Sequence, residues 1–463
     1  MMLDSLFNPS SVAIIGASND PQKSGGMFLK SLLDHHFEGR IYPVNPGASE
    51  IMGLKSYKEV DEIPGEVDLA IITIPAQATL KAVSGCADKG VKFVIVHSAG
   101  FGELGPEGKE LEAQIVKTAR EGGTRVVGPN CMGIYSPEAK INMVLPHLTA
   151  IEKPPESGSV SFIGQSGWST ESMMIEGLQR GLRFSKVASI GNQIDLTAAD
   201  YFEYFAEDQE TKVIAAYIEG IKEGRRLFTL ARRIAKKKPV IIWKSGRTEA
   251  GAKAAQSHTG SLAVSDSVCR AAFRQSGIIS ADNLHEMIDF AVACNYSRVP
   301  PGKRVGILVE AGGGAVAAAD ACENLGLTVP VFSSETQETI RKFMKEVKAP
   351  IPTTRNPVDL VWPPFGEFAR IVTMTMELMA RECDVILWIT YYPLADEDMA
   401  GVLAKITEKA KVSLFAVPAY AVGQEQNLNI YARKGMPTFL RPETATKAIA
   451  ALTQFAAYSS LDS

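Results

Sequence analysis

The chain has few of the features that mark metal sites, disulfide frameworks, membrane spans and nucleic-acid binding. Its 463 residues include only six cysteines, and no two of them have C-x-x-C spacing. Scattered single cysteines argue against a zinc site and favour a reducing cytoplasm. No apolar run approaches the length of a membrane span, and the first residues lack a signal-peptide pattern. The formal net charge of -4 gives no support for a nucleic-acid or membrane partner. We therefore expect a cytoplasmic protein without a metal site.

What the chain does have is a regular alternation of short β-branched runs and amphipathic stretches. This alternation is typical of parallel sheets covered by helices. Polar, proline-rich breaks near residues 152–158 and 296–302 divide the pattern into three parts. The sequence therefore predicts an α/β protein with a Rossmann-like domain at 1–150 and parallel-sheet domains at 151–299 and 300–463.

One histidine has unusual neighbours. His258 lies in Ser-His-Thr-Gly-Ser, and nearly all residues around it are small or hydroxylated. Small neighbours leave an imidazole approachable, and glycines on both sides allow the backbone to move. This setting favours a nucleophile that changes partners, whereas a lone histidine without such a setting is usually structural. Glu219, at the end of an apolar run, is the candidate that orients the imidazole. A solvated loop carboxylate is the alternative interpretation.

Three glycine-containing loops each follow a predicted strand and open a helix. Such loops offer backbone N–H groups and the positive end of a helix dipole to an anion. The first loop, 16–26, lacks G-x-G-x-x-G spacing and contains Lys23, which favours a phosphorylated ligand other than NAD. A Rossmann-like domain without a ligand is the alternative. The other two loops, at 164–169 and 310–314, predict a shared phosphate site if their domains pack together.

In this order, the motifs resemble the α subunit of the ADP-forming (NDP-forming) acyl-CoA synthetases, relatives of succinyl-CoA synthetase. The resemblance covers nearly the whole chain and is specific because the motifs occur together. The carrying motifs are VAIIGAS (12–18), TIPA (73–76), SAGFGE (98–103), GPNCMG (128–133), QSG (165–167), SIGNQ (189–193), YIEG (217–220), SHTGS (257–261) and NPVDL (356–360).

The resemblance implies a CoA-binding first domain followed by two flavodoxin-like domains of the succinyl-CoA synthetase type. It implies that His258 is phosphorylated, with support from Glu219. The CoA-binding residues that it implies are Gly16, Ser18, Lys23, Pro75, Ser98 and Asn130. The phosphate-binding residues that it implies are Gln165, Ser166, Gly167, Gly312, Gly313 and Gly314. In such enzymes acyl-CoA and phosphate give an acyl phosphate, then phosphohistidine, and finally ATP from ADP.

The resemblance also implies a partner, since the nucleotide site of these enzymes belongs to an ATP-grasp module. The three predicted domains leave no room for a further module of about 200 residues. We therefore expect a separate ATP-grasp β subunit that binds ADP or ATP with Mg, and an α2β2 assembly is the family expectation. Two other functions stay open at this point: a non-catalytic CoA- or acyl-CoA-binding regulatory protein, and a nicotinamide dehydrogenase.

Overall fold

The computed structural model places the chain in two compact units. The described residues are 3–145, 156–259, 265–310, 312–350, 353–391, 396–418 and 428–461, without the side chains of 255–259 and 428. The first unit comprises Met1–Ile175, Arg183–Ile234 and Val240–Asp282, and the second comprises Glu176–Leu182, Ala235–Pro239 and Asn283–Ser463. Among the described helices, none combines the length and the apolar character that a membrane crossing requires.

The first unit begins with a parallel sheet of strand order β2-β1-β5-β6-β7. Its elements are α1 (Asp4–Phe7), β1 (Ser11–Ile15), α2 (Ser24–Asp34), β2 (Arg40–Val44), β3 (Glu50–Ile51), β4 (Leu54–Lys55), β5 (Leu69–Ile72), α3 (Ala76–Lys89), β6 (Phe93–Val96), α4 (Pro106–Glu121) and β7 (Arg125–Val127), with 3₁₀ turns at Val60–Glu62 and Gly102–Leu104. Every residue of β1, β5 and β6 is buried, because apolar side chains on both faces are covered.

A second sheet in the same unit has the order β14-β13-β12-β10-β11-β8-β9. Its elements are β8 (Gly133–Ser136), β9 (Ile141–Asn142), β10 (Val160–Gly164), α5 (Gly167–Gln179), β11 (Phe184–Ser189), α6 (Ala198–Glu207), β12 (Val213–Ile218), α7 (Gly224–Ile234), β13 (Val240–Lys244), α8 (Glu249–Thr259), α9 (Asp266–Gln275) and β14 (Ile279–Ala281). Strands β10 to β14 are parallel, whereas β8 pairs with β11 in the antiparallel direction.

Two features connect the sheets of the first unit. Strands β8 and β9 come from residues that the sequence assigns to the first domain, yet they extend the sheet of the next one. In addition, the buried carboxylate of Asp195 accepts hydrogen bonds from Arg120 Nε at 2.9 Å, Arg125 Nε at 2.8 Å and the Val126 backbone N–H at 2.8 Å. Burial opposes ionisation of Asp195, but these donors outweigh it and hold its pKa below the usual value. The division at residues 150 and 299 stays a prediction.

The second unit contains a parallel sheet of order β16-β15-β17-β18. Its elements are α10 (Leu284–Tyr296), β15 (Val305–Val309), α11 (Gly312–Asn324), α12 (Ser334–Glu346), β16 (Val358–Asp359), a 3₁₀ turn (Phe365–Glu367), α13 (Phe368–Met379), β17 (Val385–Thr390), α14 (Glu397–Ala410), β18 (Ser413–Pro418), α15 (Leu428–Arg433) and α16 (Pro442–Ser459). Trp388 is fully buried in the core between this sheet and its helices. The predicted α/β class with parallel sheets is confirmed.

Candidate functional site

A cleft of about 550 Å³ lies over the carboxyl ends of β1, β2 and β5. This edge is where ligands of open α/β sheets bind, and the volume lies in the range of small-molecule sites. The lining includes Ile15, Gly16, Val44, Asn45, Pro46, Lys58, Ile74 and Lys81. Sequence reasoning found Gly16 but missed the others. The available signal was the position of Asn45 and Pro46 directly after the second strand.

Gly16 holds the turn between β1 and α2 in a shape that a side chain would disturb. Its φ of +93° is unfavourable for other residues, and an added Cβ would lie 2.7 Å from Thr73 Oγ1. The Gly16 N–H donates to the Val44 carbonyl at 3.0 Å, which ties the turn to the end of β2. Lys23 is the N-cap residue of α2, and Ser18 Oγ accepts from the Asp20 N–H at 3.0 Å.

The remaining predicted CoA residues come from the loops after β5, β6 and β7. Pro75 is the N-cap residue of α3. Ser98 Oγ donates to the Ile74 carbonyl at 2.5 Å, and the Asn130 N–H donates to the Ser98 carbonyl at 3.0 Å. The structure therefore brings these residues to the same sheet edge as Gly16. Their roles in binding stay predictions.

Glu219 lies directly after β12, where its backbone is held by a buried glutamine. Gln165 Oε1 accepts from the N–H groups of Glu219 and Gly220 at 2.7 and 2.9 Å. The Gln165 N–H donates to the Tyr217 carbonyl at 3.1 Å, so it extends the pairing of β10 with β12 and is not free for a phosphate. Gln165 and Glu219 are 3% and 6% exposed. Glu219 is therefore buried, which contradicts the alternative interpretation of this residue as a solvated loop carboxylate.

The Glu219 carboxylate also contacts a tyrosine that sequence reasoning missed. Tyr217 Oη lies 3.1 Å from Glu219 Oε1 and 2.9 Å from Ser245 Oγ. Burial raises the pKa of Tyr217 to about 12, so the hydroxyl keeps its proton and can donate it. The Tyr217 ring packs edge-to-face on Trp243 with centroids 4.6 Å apart. These contacts fix the carboxylate beside the end of β13.

The start of α5 offers the expected backbone donors for an anion. The Ser166 carbonyl accepts from Ser169 Oγ at 2.9 Å and from Thr170 Oγ1 at 2.7 Å, which fixes the turn. In the described part of the chain, the N–H groups of Ser166 and Gly167 have no acceptor. Unpaired N–H groups in a first helical turn are suited to a phosphate.

The corresponding loop in the second unit begins α11 at Gly312. Glu310, just before it, accepts from Trp388 Nε1 at 2.9 Å and from the Tyr391 N–H at 2.6 Å. Burial raises the pKa of Glu310, and these donors only partly offset that effect. A Cβ on Gly312 would lie 2.9 Å from Asp359 Oδ2, so the helix start and this carboxylate are close. Phosphate binding by Gly312, Gly313 and Gly314 stays a prediction.

The predicted nucleophile is only partly described. His258 is the residue before the last of α8, and this helix follows β13 in the first unit. Its side chain and residues 260–264 lie outside the described residues. Among the residues that the structure describes, no group of three or more histidine, cysteine, aspartate or glutamate side chains is placed to hold a metal ion.

Comparison with known proteins identifies the family. The chain is 40% identical to the α subunit of ADP-forming acetate–CoA ligase II of Pyrococcus furiosus, and the match covers 98% of both chains. The chain belongs to the α subunits of the ADP-forming acyl-CoA synthetases. It is therefore a subunit of an acid–thiol ligase, and this assignment favours a catalytic role over a non-catalytic CoA-binding role.

Two family models match parts of this synthetase subunit. One is described as a CoA binding domain and matches residues 10–137, which contain the cleft. The other is described as a succinyl-CoA ligase like flavodoxin domain and matches residues 157–294. These descriptions agree with the Rossmann-like and flavodoxin-like folds that the sequence predicts.

A solved structure and a longer relative support the same family. The structure is dinucleotide-forming acetyl-coenzyme A synthetase 1 of Candidatus Korarchaeum cryptofilum in complex with phosphate and ADP. It aligns with a TM-score of 0.86 and 32% identity over 99% of this chain and 98% of that chain. The longer relative is the ADP-forming 4-hydroxybutyrate–CoA ligase of Nitrosopumilus maritimus, 32% identical over 98% of this chain and 64% of that protein.

Proposed function

We propose that this α subunit interconverts acyl-CoA, ADP and phosphate with a carboxylic acid, CoA and ATP, using His258 as the phosphoryl carrier. In the first step a phosphate oxygen attacks the thioester carbonyl, the C–S bond breaks, and CoA leaves as a thiolate that takes up a proton. In the second step a ring nitrogen of His258 attacks phosphorus, and the carboxylate leaves. In the third step a terminal phosphate oxygen of ADP attacks phosphorus, the N–P bond to His258 breaks, and ATP forms with the imidazole restored.

Glu219 is the group that prepares His258 for the second step. A histidine that attacks phosphorus needs its other ring nitrogen held by an acceptor, which fixes the tautomer and raises the nucleophilicity of the ring. The fixed Glu219 carboxylate is the observation that carries this part of the proposal, because Gln165 and Tyr217 hold its backbone and its side chain. In this proposal Ser166 and Gly167 bind the phosphate through N–H groups that lack an acceptor in the described part of the chain.

CoA would bind over the carboxyl ends of the first sheet. The cleft of about 550 Å³ supports this proposal, as do the two backbone turns beside Gly16 and Ser98. In this proposal Lys23, at the start of α2, contacts a phosphate group of CoA. The cleft lining itself is not net positive, because Lys58 and Lys81 lie there with the carboxylates Glu59, Asp61 and Asp88. Pro75 and Asn130 would complete the site from the loops after β5 and β7.

We also propose a partner that completes the reaction. A separate ATP-grasp β subunit would bind ADP or ATP with Mg, and an α2β2 assembly would hold two copies of each chain. The α designation of the Pyrococcus furiosus relative supports a second chain. The 4-hydroxybutyrate–CoA ligase supports it too. This chain matches 64% of that longer protein, so about a third of that protein has no counterpart in this chain. The six cysteines are all free thiols, which supports a reducing cytoplasm as the location.

An activity assay with the partner tests this proposal. The α chain mixed with its β subunit should form ATP from acetyl-CoA, ADP and phosphate, and the His258→Asn variant should not. Acetyl-CoA is a suitable first substrate because the Pyrococcus furiosus relative is named for acetate. Butyryl-CoA and 4-hydroxybutyryl-CoA extend the panel. ATP formation by the variant at the parent rate would contradict a role for His258.

A further inference from the structure

Lys244 is a buried cation with few partners. It is the last residue of β13 and is 4% exposed. A lysine ammonium has three N–H donors, but in the described part of the chain the one acceptor for Lys244 Nζ is the Ser245 carbonyl. No carboxylate of the described residues lies within ion-pair distance of it. Lysines are almost never this buried unless they are paired.

The charged groups around Lys244 are engaged elsewhere. The Cys269 thiol is near enough to interact with the ammonium, but burial raises the pKa of Cys269, so the thiol stays protonated and neutral. Glu219 is also near but contacts the Tyr217 hydroxyl, and Asp266 pairs with Arg270 at 2.7 Å. Arg247, of the same sign, pairs with Asp282, which also pairs with Arg270 at 3.2 Å. Burial lowers the pKa of Lys244, which means that the charged form is costly in this position without an added anion.

Another buried lysine in this chain has a different environment. Lys186 is 2% exposed, and its Nζ lies 3.1 Å from Asp208 Oδ1 and 3.4 Å from Glu210 Oε2. In Lys186 the charge of a buried lysine is therefore balanced by two carboxylates of the same unit. Among the described residues Lys244 has no such carboxylate, and it lies at the sheet edge where ligands bind, so this position is suited to an added anion.

We propose that Lys244 binds an anionic oxygen of the phosphate or phosphoryl group at the carboxyl ends of β12 and β13. This inference rests on the proposed function, since His258 would carry that group. The Ser245 N–H donates to the Ile218 carbonyl at 3.0 Å, so the carboxyl ends of β12 and β13 lie side by side. In this proposal the Glu219 carboxylate orients the imidazole, and the Lys244 ammonium compensates the charge of the transferring group.

Three variants of the α chain, each assembled with the β subunit, test the assignment. Lys244→Met keeps the length of the side chain and removes the charge, Lys244→Arg keeps the charge, and Lys186→Met is the control for loss of a buried lysine. Two quantities are measured. One is the initial rate of acid-labile labelling by acetyl-CoA and radioactive phosphate. The other is the urea midpoint with and without inorganic phosphate.

Lys244→Met should slow the labelling about a hundredfold, the usual effect of removing one group that stabilises a developing charge. Its urea midpoint should equal or exceed that of the parent and should no longer rise with phosphate. Lys244→Arg should recover part of the rate. Lys186→Met should lower the urea midpoint because two carboxylates lose their cation, while folded protein still responds to phosphate.

Two outcomes would overturn the inference about Lys244. One is labelling of Lys244→Met at the parent rate. The other is a loss of stability like that of Lys186→Met with an unchanged response to phosphate, which would make Lys244 a structural residue. Absence of label in the parent would contradict the proposed function instead. The phosphate dependence of the urea midpoint would still decide whether Lys244 binds the anion.

Discussion

Replacement of Gly16 by alanine should weaken CoA binding more than it weakens folding. The alanine would have to adopt a φ of +93°, and its Cβ would lie 2.7 Å from Thr73 Oγ1 and 2.8 Å from Ile74 Cγ2. A strained backbone of this kind costs about 1 to 3 kcal/mol. If the cost falls on the CoA-bound turn, the Kd for CoA rises about 5- to 150-fold, because about 1.4 kcal/mol is a factor of ten.

Isothermal titration of CoA into the α chain with its β subunit measures this effect. Gly53→Ala is the matched control, because Gly53 has a φ of +80° and nothing lies within 4 Å of the added Cβ. Both variants should lose stability in urea, but Gly53→Ala should bind CoA with the parent affinity. Equal CoA affinities for Gly16→Ala and the parent would refute the placement of CoA against this turn.

Two further variants test contacts of the first unit. Tyr217→Phe keeps the ring on Trp243 but removes the hydroxyl from Glu219. The rate of His258 labelling should fall about 10- to 150-fold, since a hydrogen bond to a charged group contributes about 1.5 to 3 kcal/mol. CoA affinity, measured beside it, should not change. Asp195→Asn should lower the free energy of unfolding, measured in urea at pH 7, by about 1.5 to 3 kcal/mol, because Arg120 and Arg125 lose their buried anion. The pKa of Asp195 is lowered on folding, so its stabilisation is present above the unfolded-state pKa of about 3.9 and disappears as the pH falls through the folded-state pKa. A deficit that keeps the same size as the pH falls far below the unfolded-state pKa would contradict this assignment.

The fold class follows from local patterns, but strand partners do not. The alternation of β-branched and amphipathic segments was sufficient to predict parallel sheets, because central strands such as β1, β5 and β6 are buried along their whole length. The pairing of β8 with β11 was not predictable, since it joins residues about fifty positions apart in the chain. A short apolar run such as Gly133–Ser136 does not indicate which sheet it will complete.

Positions in the candidate site were predictable from the sequence where the residue type alone indicates a role. Gly16 and Glu219 were found because glycine turns and carboxylates at strand ends are visible in the sequence. The side-chain contacts of Gln165 and the hydroxyl contact of Tyr217 were missed, since hydrogen-bond partners depend on how strands align. Lys244 did carry a signal, a charge at the end of the apolar strand VIIWK, but only the three-dimensional structure shows that no described carboxylate pairs with it.

Detection of phosphohistidine in the α chain tests the central claim most directly. The α chain and its β subunit are incubated with acetyl-CoA and radioactive phosphate without nucleotide, and the labelled peptide is identified at neutral pH. We expect an acid-labile, base-stable label on the peptide that contains His258. The label should be absent in His258→Asn, and ADP should remove it with formation of ATP. A label that persists in His258→Asn, or one on another residue, would contradict the central claim.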